Sequence, residues 1–217
     1  MMALEGEYMM EDWFSTIKDW LQQGDDSSKN LVDLPWEIVK EGTEDDYKYL
    51  YAEHPRVPFR IIIYVNPYFA NMYIVTDIET DALDIKDRMK IYKELLHMNS
   101  DSNLYKVGLM GNSDNIIVAV DLDLASLNKE EFNDALTALV MGTYKVIETL
   151  GLEEEFEEEF LKNLAYIIID MLNSGKTHEE VEEFLVKRVG LTKDDASQLL
   201  KTILDYTRKS EDLRYIG

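Results

Sequence analysis

The stretch that decides the fold is 92–151, YKELLHMNSDSNLYKVGLMGNSDNIIVAVDLDLASLNKEEFNDALTALVMGTYKVIETLG. It predicts the end of a helix, two strands and a long helix. The strands at 105–111 and 115–121 are joined by Gly, Asn, Ser and Asp at 111–114. Because these residue types tolerate the positive φ of tight turns, the two strands are expected to form a hairpin.

The long helix of this stretch has clear end signals. Asn128 is a favourable N-cap, and Glu131 three residues later approaches a capping box. Gly151 is a C-terminal stop, since glycine readily takes the left-handed conformation there.

Upstream, the sequence predicts a helix, four strands and a second helix. The strands show apolar and polar alternation and are separated by Gly, Pro and Asp residues. The predicted ranges are 9–23 for the first helix, 35–42, 47–53, 59–65 and 71–77 for the strands, and 84–99 for the second helix. The periodicity of the second helix predicts an inward face made of Ile85, Met89, Tyr92, Leu95 and Leu96.

The strands at 59–65 and 71–77 are apolar on both of their faces. A sheet with two apolar faces is covered on both, and helices of the same domain cover one of them. The other face is predicted to meet more helix, another domain or another subunit. The residues predicted for this possible partner surface are Ile62, Tyr64, Met72 and Ile74.

The composition changes at Gly151, after which no strand pattern appears. Three amphipathic helices are expected there, the last two capped by Thr177 and Thr192. The predicted fold class is therefore α+β: an antiparallel sheet with flanking helices in the order α-β-β-β(-β)-α-β-β-α, followed by a three-helix C-terminal segment. The predicted domains are 1–151, which is α+β, and 152–217, which is helical.

The charge of the chain restricts its partners. The 217 residues carry 44 acidic and 22 basic side chains, a net charge of -22. Such a charge repels nucleic-acid phosphates and anionic lipid, so we expect no nucleic acid and no membrane as partners. The chain lacks cysteine, a signal-peptide pattern and any apolar run of the ~20 residues that a membrane span needs. These features predict a cytoplasmic protein.

No motif for catalysis, cofactor binding or metal binding is found. The histidines do not share the spacing of a zinc site, and the aspartates around the hairpin lack the pattern of a calcium loop. The sequence therefore predicts no catalytic, cofactor-binding or metal-binding residues. The residues considered were His54, His97, His178, Asp101, Asp121 and Asp123.

The turn at 190–192 between two short helices is similar to a helix-turn-helix. Its second helix begins with Lys193, Asp194 and Asp195, and two aspartates at that position would face phosphates. We therefore predict a three-helix packing module rather than a DNA-binding one.

The order of elements over 9–150 resembles the small acidic chaperones of type III secretion and the related YbjN-type proteins. The segments that carry this resemblance are 92–99, 107–109, 116–120, 122–127 and 132–150. The resemblance implies an antiparallel sheet, frequent homodimers and binding of protein segments rather than catalysis. The helices after Gly151 have no counterpart in the small chaperones.

The function predicted from the sequence is a non-enzymatic protein-interaction or chaperone-like module. Its expected partner is a protein or peptide, with a homodimer as one form. One alternative is a small-molecule or metal-dependent enzyme whose site is built from scattered acids. Another is a monomer in which helices 152–217 cover the second face of the sheet.

Overall fold

The computed structural model describes the backbone of residues 12–214 and the side chains of residues 12–205. A helix, four strands, a helix, two strands and four helices follow one another along this part of the chain. The helices are α1 Trp13–Gln22, α2 Ile85–Asp101, α3 Lys129–Leu150, α4 Glu153–Asn173, α5 His178–Phe184 and α6 Lys193–Arg214, and the strands are β1 Glu37–Glu44, β2 Tyr47–His54, β3 Val57–Val65, β4 Phe69–Glu79, β5 Lys106–Met110 and β6 Asn115–Asp123. Residues 9–11 of the predicted first helix lie outside the described residues.

The six strands form one antiparallel sheet in the order β1-β2-β3-β4-β6-β5. Helices α1, α2 and α3 pack against one face of it and enclose the larger hydrophobic core. Buried side chains that pair across adjacent strands, such as Leu50, Ile63, Met72 and Val120, form the floor of that core. The predicted α+β class, the antiparallel sheet and the three C-terminal helices are confirmed.

The helix ends follow the chemistry expected from the sequence. The Asn128 side chain accepts hydrogen bonds from the backbone N–H groups of Glu130 and Glu131, and Gly151 ends α3 with φ of 68°. Thr177 and Glu180 form a capping box at the start of α5. None of the helices within residues 12–214 is long and apolar enough to cross a bilayer.

The predicted partner surface is wrong for Met72 and Ile74. Met72 pairs with Ile63, and both residues are 0% exposed beneath the helices. Ile74 is likewise 0% exposed. Because side chains alternate along a strand, Ile62 and Tyr64 share their face with Tyr73 and not with Met72.

The predicted inward face of α2 is also partly wrong. Leu95 and Met98 are the buried apolar residues of this helix. Ile85, Met89 and Leu96 are exposed instead. Helix α2 has more apolar residues than one helix face can hold, so several of them remain exposed.

Helices α4, α5 and α6 enclose a second, smaller hydrophobic core. Its buried residues are Leu164, Ile168, Val181, Leu185, Val189, Ala196, Leu200 and Ile203. After α5 the chain makes one turn of π-helix at Leu185–Val189 and reaches Gly190, whose φ is 89°. The left-handed Gly190 lets the chain reverse into α6.

The C-terminal helices join the first domain near the β2–β3 turn. The rings of Phe59 and Phe156 stack with centroids 5.3 Å apart, and Tyr144 of α3 lies edge-on against both rings. Arg56 donates to the backbone oxygen of Lys187 at 2.9 Å. Since Phe59 and Tyr144 belong to the helix-covered side of the sheet, α4–α6 adjoin that side rather than the opposite face.

Candidate interaction surface

The sheet face opposite the helices is rich in tyrosine. We define the tyrosine face as Tyr47, Tyr49, Tyr51, Ile62, Tyr64 and Tyr73. The alternation of β2, β3 and β4 places these side chains on one side, because Tyr49 pairs with Tyr64 and Ile62 pairs with both Tyr51 and Tyr73.

Tyr64 is the centre of this face. Its ring centroid lies 5.7 Å from that of Tyr49, 6.1 Å from Tyr73 and 6.3 Å from Tyr47. Tyr51 contacts Tyr49 with centroids 5.8 Å apart. These are the tilted and edge-to-face arrangements that aromatic rings prefer, so the rings hold each other in place while remaining partly exposed.

Two residues of β1 complete this packing. Gly42 pairs with Tyr49, and a Cβ at Gly42 would lie 2.7 Å from the Tyr49 hydroxyl oxygen. The glycine therefore provides the space in which the Tyr49 ring lies. The Lys40 ammonium lies 5.0 Å from the Tyr51 ring centroid and 5.5 Å from that of Tyr49, within the range of a cation–π interaction.

Two phenols of this face, those of Tyr64 and Tyr73, have a raised pKa. Burial raises the pKa of Tyr64, and the neighbouring Tyr51 adds to the increase. Burial also raises the pKa of Tyr73, with a smaller contribution from Asp121. Neutral phenols combine an apolar ring with a hydroxyl that donates and accepts hydrogen bonds.

A small polar network borders the tyrosine face on β4, β5 and β6. Asn71 donates to Asp121 Oδ1 at 2.7 Å, and Lys106 contacts Asp121 Oδ2. The hydrogen bond from Lys106 is the main cause of the lowered pKa of Asp121. The network offsets the Asp121 charge, so this border adds little net charge.

The β5 edge of the sheet is capped at Val107. The Asn99 side chain, which comes from α2, donates to the Val107 carbonyl oxygen at 2.9 Å and accepts from the Val107 N–H at 2.6 Å. The amide thus occupies the backbone groups that a further strand would use. Covering an edge in this way prevents pairing with another chain.

The β1 edge is protected by charge and by irregularity. Lys40 and the glutamates at 37, 41 and 44 lie along this strand, and its register shifts between Ile38 and Lys40. Edge charges and bulges discourage strand addition. Binding through either sheet edge is therefore disfavoured, and the tyrosine face is the open surface of the sheet.

The structure divides the four residues predicted for the partner surface into two pairs. Ile62 and Tyr64 lie on the tyrosine face, while Met72 and Ile74 lie in the core. Sequence reasoning did not assign Tyr47, Tyr49, Tyr51 or Tyr73 to this surface. The signal was present, since tyrosines at every second position of a strand share one face.

His54 is buried, and both of its ring nitrogens have partners within the fold. It is 2% exposed, its Nδ1 accepts from the Arg56 backbone N–H at 3.1 Å, and its Nε2 lies 3.2 Å from Asp26 Oδ1. Because Nδ1 is an acceptor, the neutral ring carries its proton on Nε2 and donates to Asp26. Burial lowers the pKa of His54, which favours this neutral form.

Two of the acids considered as metal ligands, Asp121 and Asp123, have partners within the fold. Asp121 binds Asn71 and Lys106, and Asp123 accepts from the Ala125 N–H at 2.9 Å. Over residues 12–205, the described side chains contain no group of three His, Asp or Glu residues placed to hold a metal ion.

No curated protein matches the chain. A crystal structure of an uncharacterized protein from Methanothermobacter thermautotrophicus is similar with 14% identity and a TM-score of 0.40, covering 67% of this chain and 97% of the other. A family model named HTH_78, described as a domain of unknown function, matches residues 151–216.

A second family model covers the sheet domain. It matches residues 16–150, from α1 to the last residue of α3. The two matched ranges meet between Leu150 and Gly151, where α3 ends. The chain therefore belongs to the family described as "Domain of unknown function (DUF8183)".

Proposed function

We propose that this protein is a non-enzymatic protein-interaction module that binds a cationic segment of a partner protein on the tyrosine face. The observation that carries the proposal is the contrast between the face and the edges of the sheet. The face is open and aromatic, whereas Asn99 and the charged, bulged β1 protect the two edges.

The chemistry of the tyrosine face suits protein recognition. Tyrosine provides a large contact area with few rotatable bonds, and its hydroxyl can adapt to the hydrogen-bonding groups of a partner. Tyr64 contacts three neighbouring rings, so little side-chain freedom remains to be lost on binding. Ile62 adds an aliphatic contact beside them.

The charge of the chain favours a cationic partner. A net charge of -22 attracts basic segments over long range and speeds their encounter with the surface. It disfavours a face-to-face homodimer, since a second copy brings the same charge. The homodimer implied by the resemblance is therefore a competing form, which the experiment below distinguishes.

The C-terminal helices support protein rather than nucleic-acid partners. The name HTH_78 suggests a helix-turn-helix, and α5, Gly190 and α6 follow one another as in that motif. However, residues 151–216 contain 16 acidic and 9 basic side chains, a net charge of -7. Asp194 and Asp195 occupy the first turn of α6, where a reading helix would approach phosphates.

An enzymatic function is less well supported. One open groove on the C-terminal helices is lined by His178, Glu182, Ser197 and Lys201, and among the described residues no histidine is hydrogen-bonded to the Ser197 hydroxyl as in a catalytic triad. Glu182 is engaged with Ser197. The chaperone-like role implied by the resemblance agrees with the binding proposal and remains a prediction.

The experiment is a peptide array probed with the full-length chain. The array contains peptides that combine Lys or Arg with aliphatic residues, and a matched set in which Glu replaces each basic residue. We expect binding to the basic set, lost in the double variant Ile62→Ser with Tyr64→Ser. Tyr166→Ser is the matched control, because Tyr166 is a tyrosine 60% exposed on α4.

Three outcomes count against the proposal. One is equal binding of both peptide sets, and another is binding that survives the double substitution on β3. The third is a stable dimer that the double variant converts to monomer in light scattering, because a second copy would then occupy the tyrosine face.

A further inference from the structure

Helix α2 presents an apolar row that the core does not use. Ile85, Met89 and Leu96 are 72%, 59% and 66% exposed, and the half-buried Tyr92 lies between them in the row. Positions i, i+4, i+7 and i+11 fall along one side of a helix. The core is reached from a different side of α2, through Leu95 and Met98.

A basic row runs beside the apolar one. Lys86, Lys90, Lys93 and His97 repeat the same spacing one position later, so they flank the row along its whole length. Lys90 is paired with Asp87 at 2.6 Å. Lys86 and Lys93 are exposed and have no ion-pair partner among the described side chains.

The local charge of α2 differs from that of the chain. Ile85–Asp101 contains four basic and three acidic residues, whereas the whole chain has twice as many acidic as basic residues. The helix is thus a cationic region on an acidic protein. Two further exposed leucines, Leu83 before α2 and Leu104 after it, extend the apolar surface at its ends.

We propose that this row of α2 is a docking surface for an acidic amphipathic helix of a partner protein. The partner's apolar side chains pack on Ile85, Met89 and Leu96, and its carboxylates pair with Lys86 and Lys93. The surface lies on the helix side of the protein, so it is separate from the tyrosine face and does not depend on it.

Two other occupants fit the observations less well. A second copy that packed its own α2 antiparallel on this one would place the basic rows near each other. An anionic bilayer would attract α2, but the net charge of -22 repels it from the rest of the molecule. An acidic amphipathic helix can pack its apolar side chains on the apolar row and pair its carboxylates with the lysines of the basic row.

The test uses the full-length protein and a labelled peptide of about 18 residues, five helical turns. The peptide has Leu at i, i+4, i+7 and i+11 with Glu at each following position, and the control peptide has Lys in place of Glu. We expect fluorescence anisotropy to show binding of the acidic peptide alone. Raising the salt concentration weakens this binding, because exposed ion pairs are screened.

Two matched charge variants and one apolar variant locate the site. Lys86→Glu with Lys93→Glu is expected to weaken binding about tenfold or more, because two exposed pairs are lost and two like charges are introduced. Lys162→Glu with Lys201→Glu makes the same charge change on the C-terminal helices and is expected to leave binding unchanged. Met89→Ser, at a position 59% exposed, is expected to weaken binding without unfolding the chain.

Each of the other outcomes overturns the inference. These are equal binding of the acidic and basic peptides, binding unaffected by the changes at Lys86 and Lys93, binding of phosphatidylserine vesicles that is lost with those changes, and a dimer in light scattering that Met89→Ser dissociates. A negative result at α2 does not bear on the tyrosine face, because the two surfaces are probed by peptides of opposite charge and by different variants.

Discussion

The side-chain amide of Asn99 hydrogen-bonds both backbone groups of Val107, donating to its carbonyl oxygen at 2.9 Å and accepting from its N–H at 2.6 Å. A residue of α2 therefore takes the place of a seventh strand beside β5. This relationship ties the helix to the sheet edge and protects that edge.

Asn99→Ala is expected to destabilise the fold and free the edge. The substitution removes two part-buried hydrogen bonds and leaves the Val107 groups without their protein partner, at a cost of about 1–3 kcal/mol in the free energy of unfolding. Urea denaturation measures this loss, and light scattering detects new association through β5. Asn103→Ala, at an exposed position in the loop after α2, is the control. An Asn99→Ala variant as stable and as monodisperse as Asn103→Ala would show that the edge needs no protection.

Gly42→Ala is expected to disturb the tyrosine face. Its Cβ would lie 2.7 Å from the Tyr49 hydroxyl, so the Tyr49 ring must move, and overpacking of this kind costs about 1–3 kcal/mol. Gly108→Ala is the matched control, since its Cβ would meet the Ile117 side chain at an ordinary 3.7 Å. Thermal unfolding and near-ultraviolet circular dichroism measure the two effects. Equal behaviour of the two variants would mean that the Tyr49 ring is not held against β1.

His54 makes stability depend on pH. Its pKa is lowered by burial in the folded protein, so the unfolded chain binds its proton more readily. The stabilising contribution is therefore complete above the unfolded pKa of about 6.5 and decreases as the pH falls below that value. We expect the free energy of unfolding to fall between about pH 7.5 and about pH 5, and to fall less in His54→Gln.

The control that isolates the contribution of His54 to the pH dependence of stability is His97→Gln. His97 is exposed near the end of α2, so its replacement removes an imidazole from the chain without removing the buried one. Carboxylates contribute to acid destabilisation in every variant, and the difference between the two curves removes their part. Parallel curves for His54→Gln and His97→Gln would contradict the role assigned to burial.

Arg56 holds the two parts of the chain together. Its guanidinium donates to the backbone oxygens of Asp26 at 2.7 Å, Ser28 at 3.1 Å and Lys187 at 2.9 Å. Arg56→Ala is expected to cost about 2–4 kcal/mol in urea unfolding, because hydrogen bonds from a charged group are stronger than neutral ones.

Arg60→Ala is the control for that substitution. Arg60 is exposed on β3 and pairs with Glu53 at 2.5 Å, and such surface pairs contribute about 0–1 kcal/mol. Arg56→Ala is also expected to increase proteolysis near Gly151. Equal stability and equal cleavage of the two variants would show that Arg56 does not join the domains.

The sequence predicted the strands well because their alternation is local, but it could not fix how they are paired. Whether Met72 faces Ile63 or Ile62 depends on the β3–β4 turn, where Asn66 Oδ1 accepts from the backbone N–H groups of Tyr68 and Phe69. One residue of register exchanges the two faces of a strand. The predicted surface therefore combined residues from both faces.

Local sequence patterns were also insufficient to predict which face of α2 is buried and how the β5 edge is protected. Apolar periodicity shows that α2 has Ile85, Met89 and Leu96 in one row, but it does not show which row meets the core. The bond between Asn99 and Val107 joins a helix to a strand eight residues away and has no sequence signal. By contrast, Asn128, Thr177 and Gly151 act within their own turns, and their chemistry was readable directly.

Amide chemical-shift mapping shows whether a bound peptide lies on the tyrosine face. A basic, aliphatic peptide chosen from the array is titrated into the isotope-labelled full-length protein. We expect the largest shifts on β2, β3 and β4 around Tyr49, Tyr64 and Tyr73. Shifts confined to α2 or to the C-terminal helices, or no shifts at saturating peptide, would contradict this expectation.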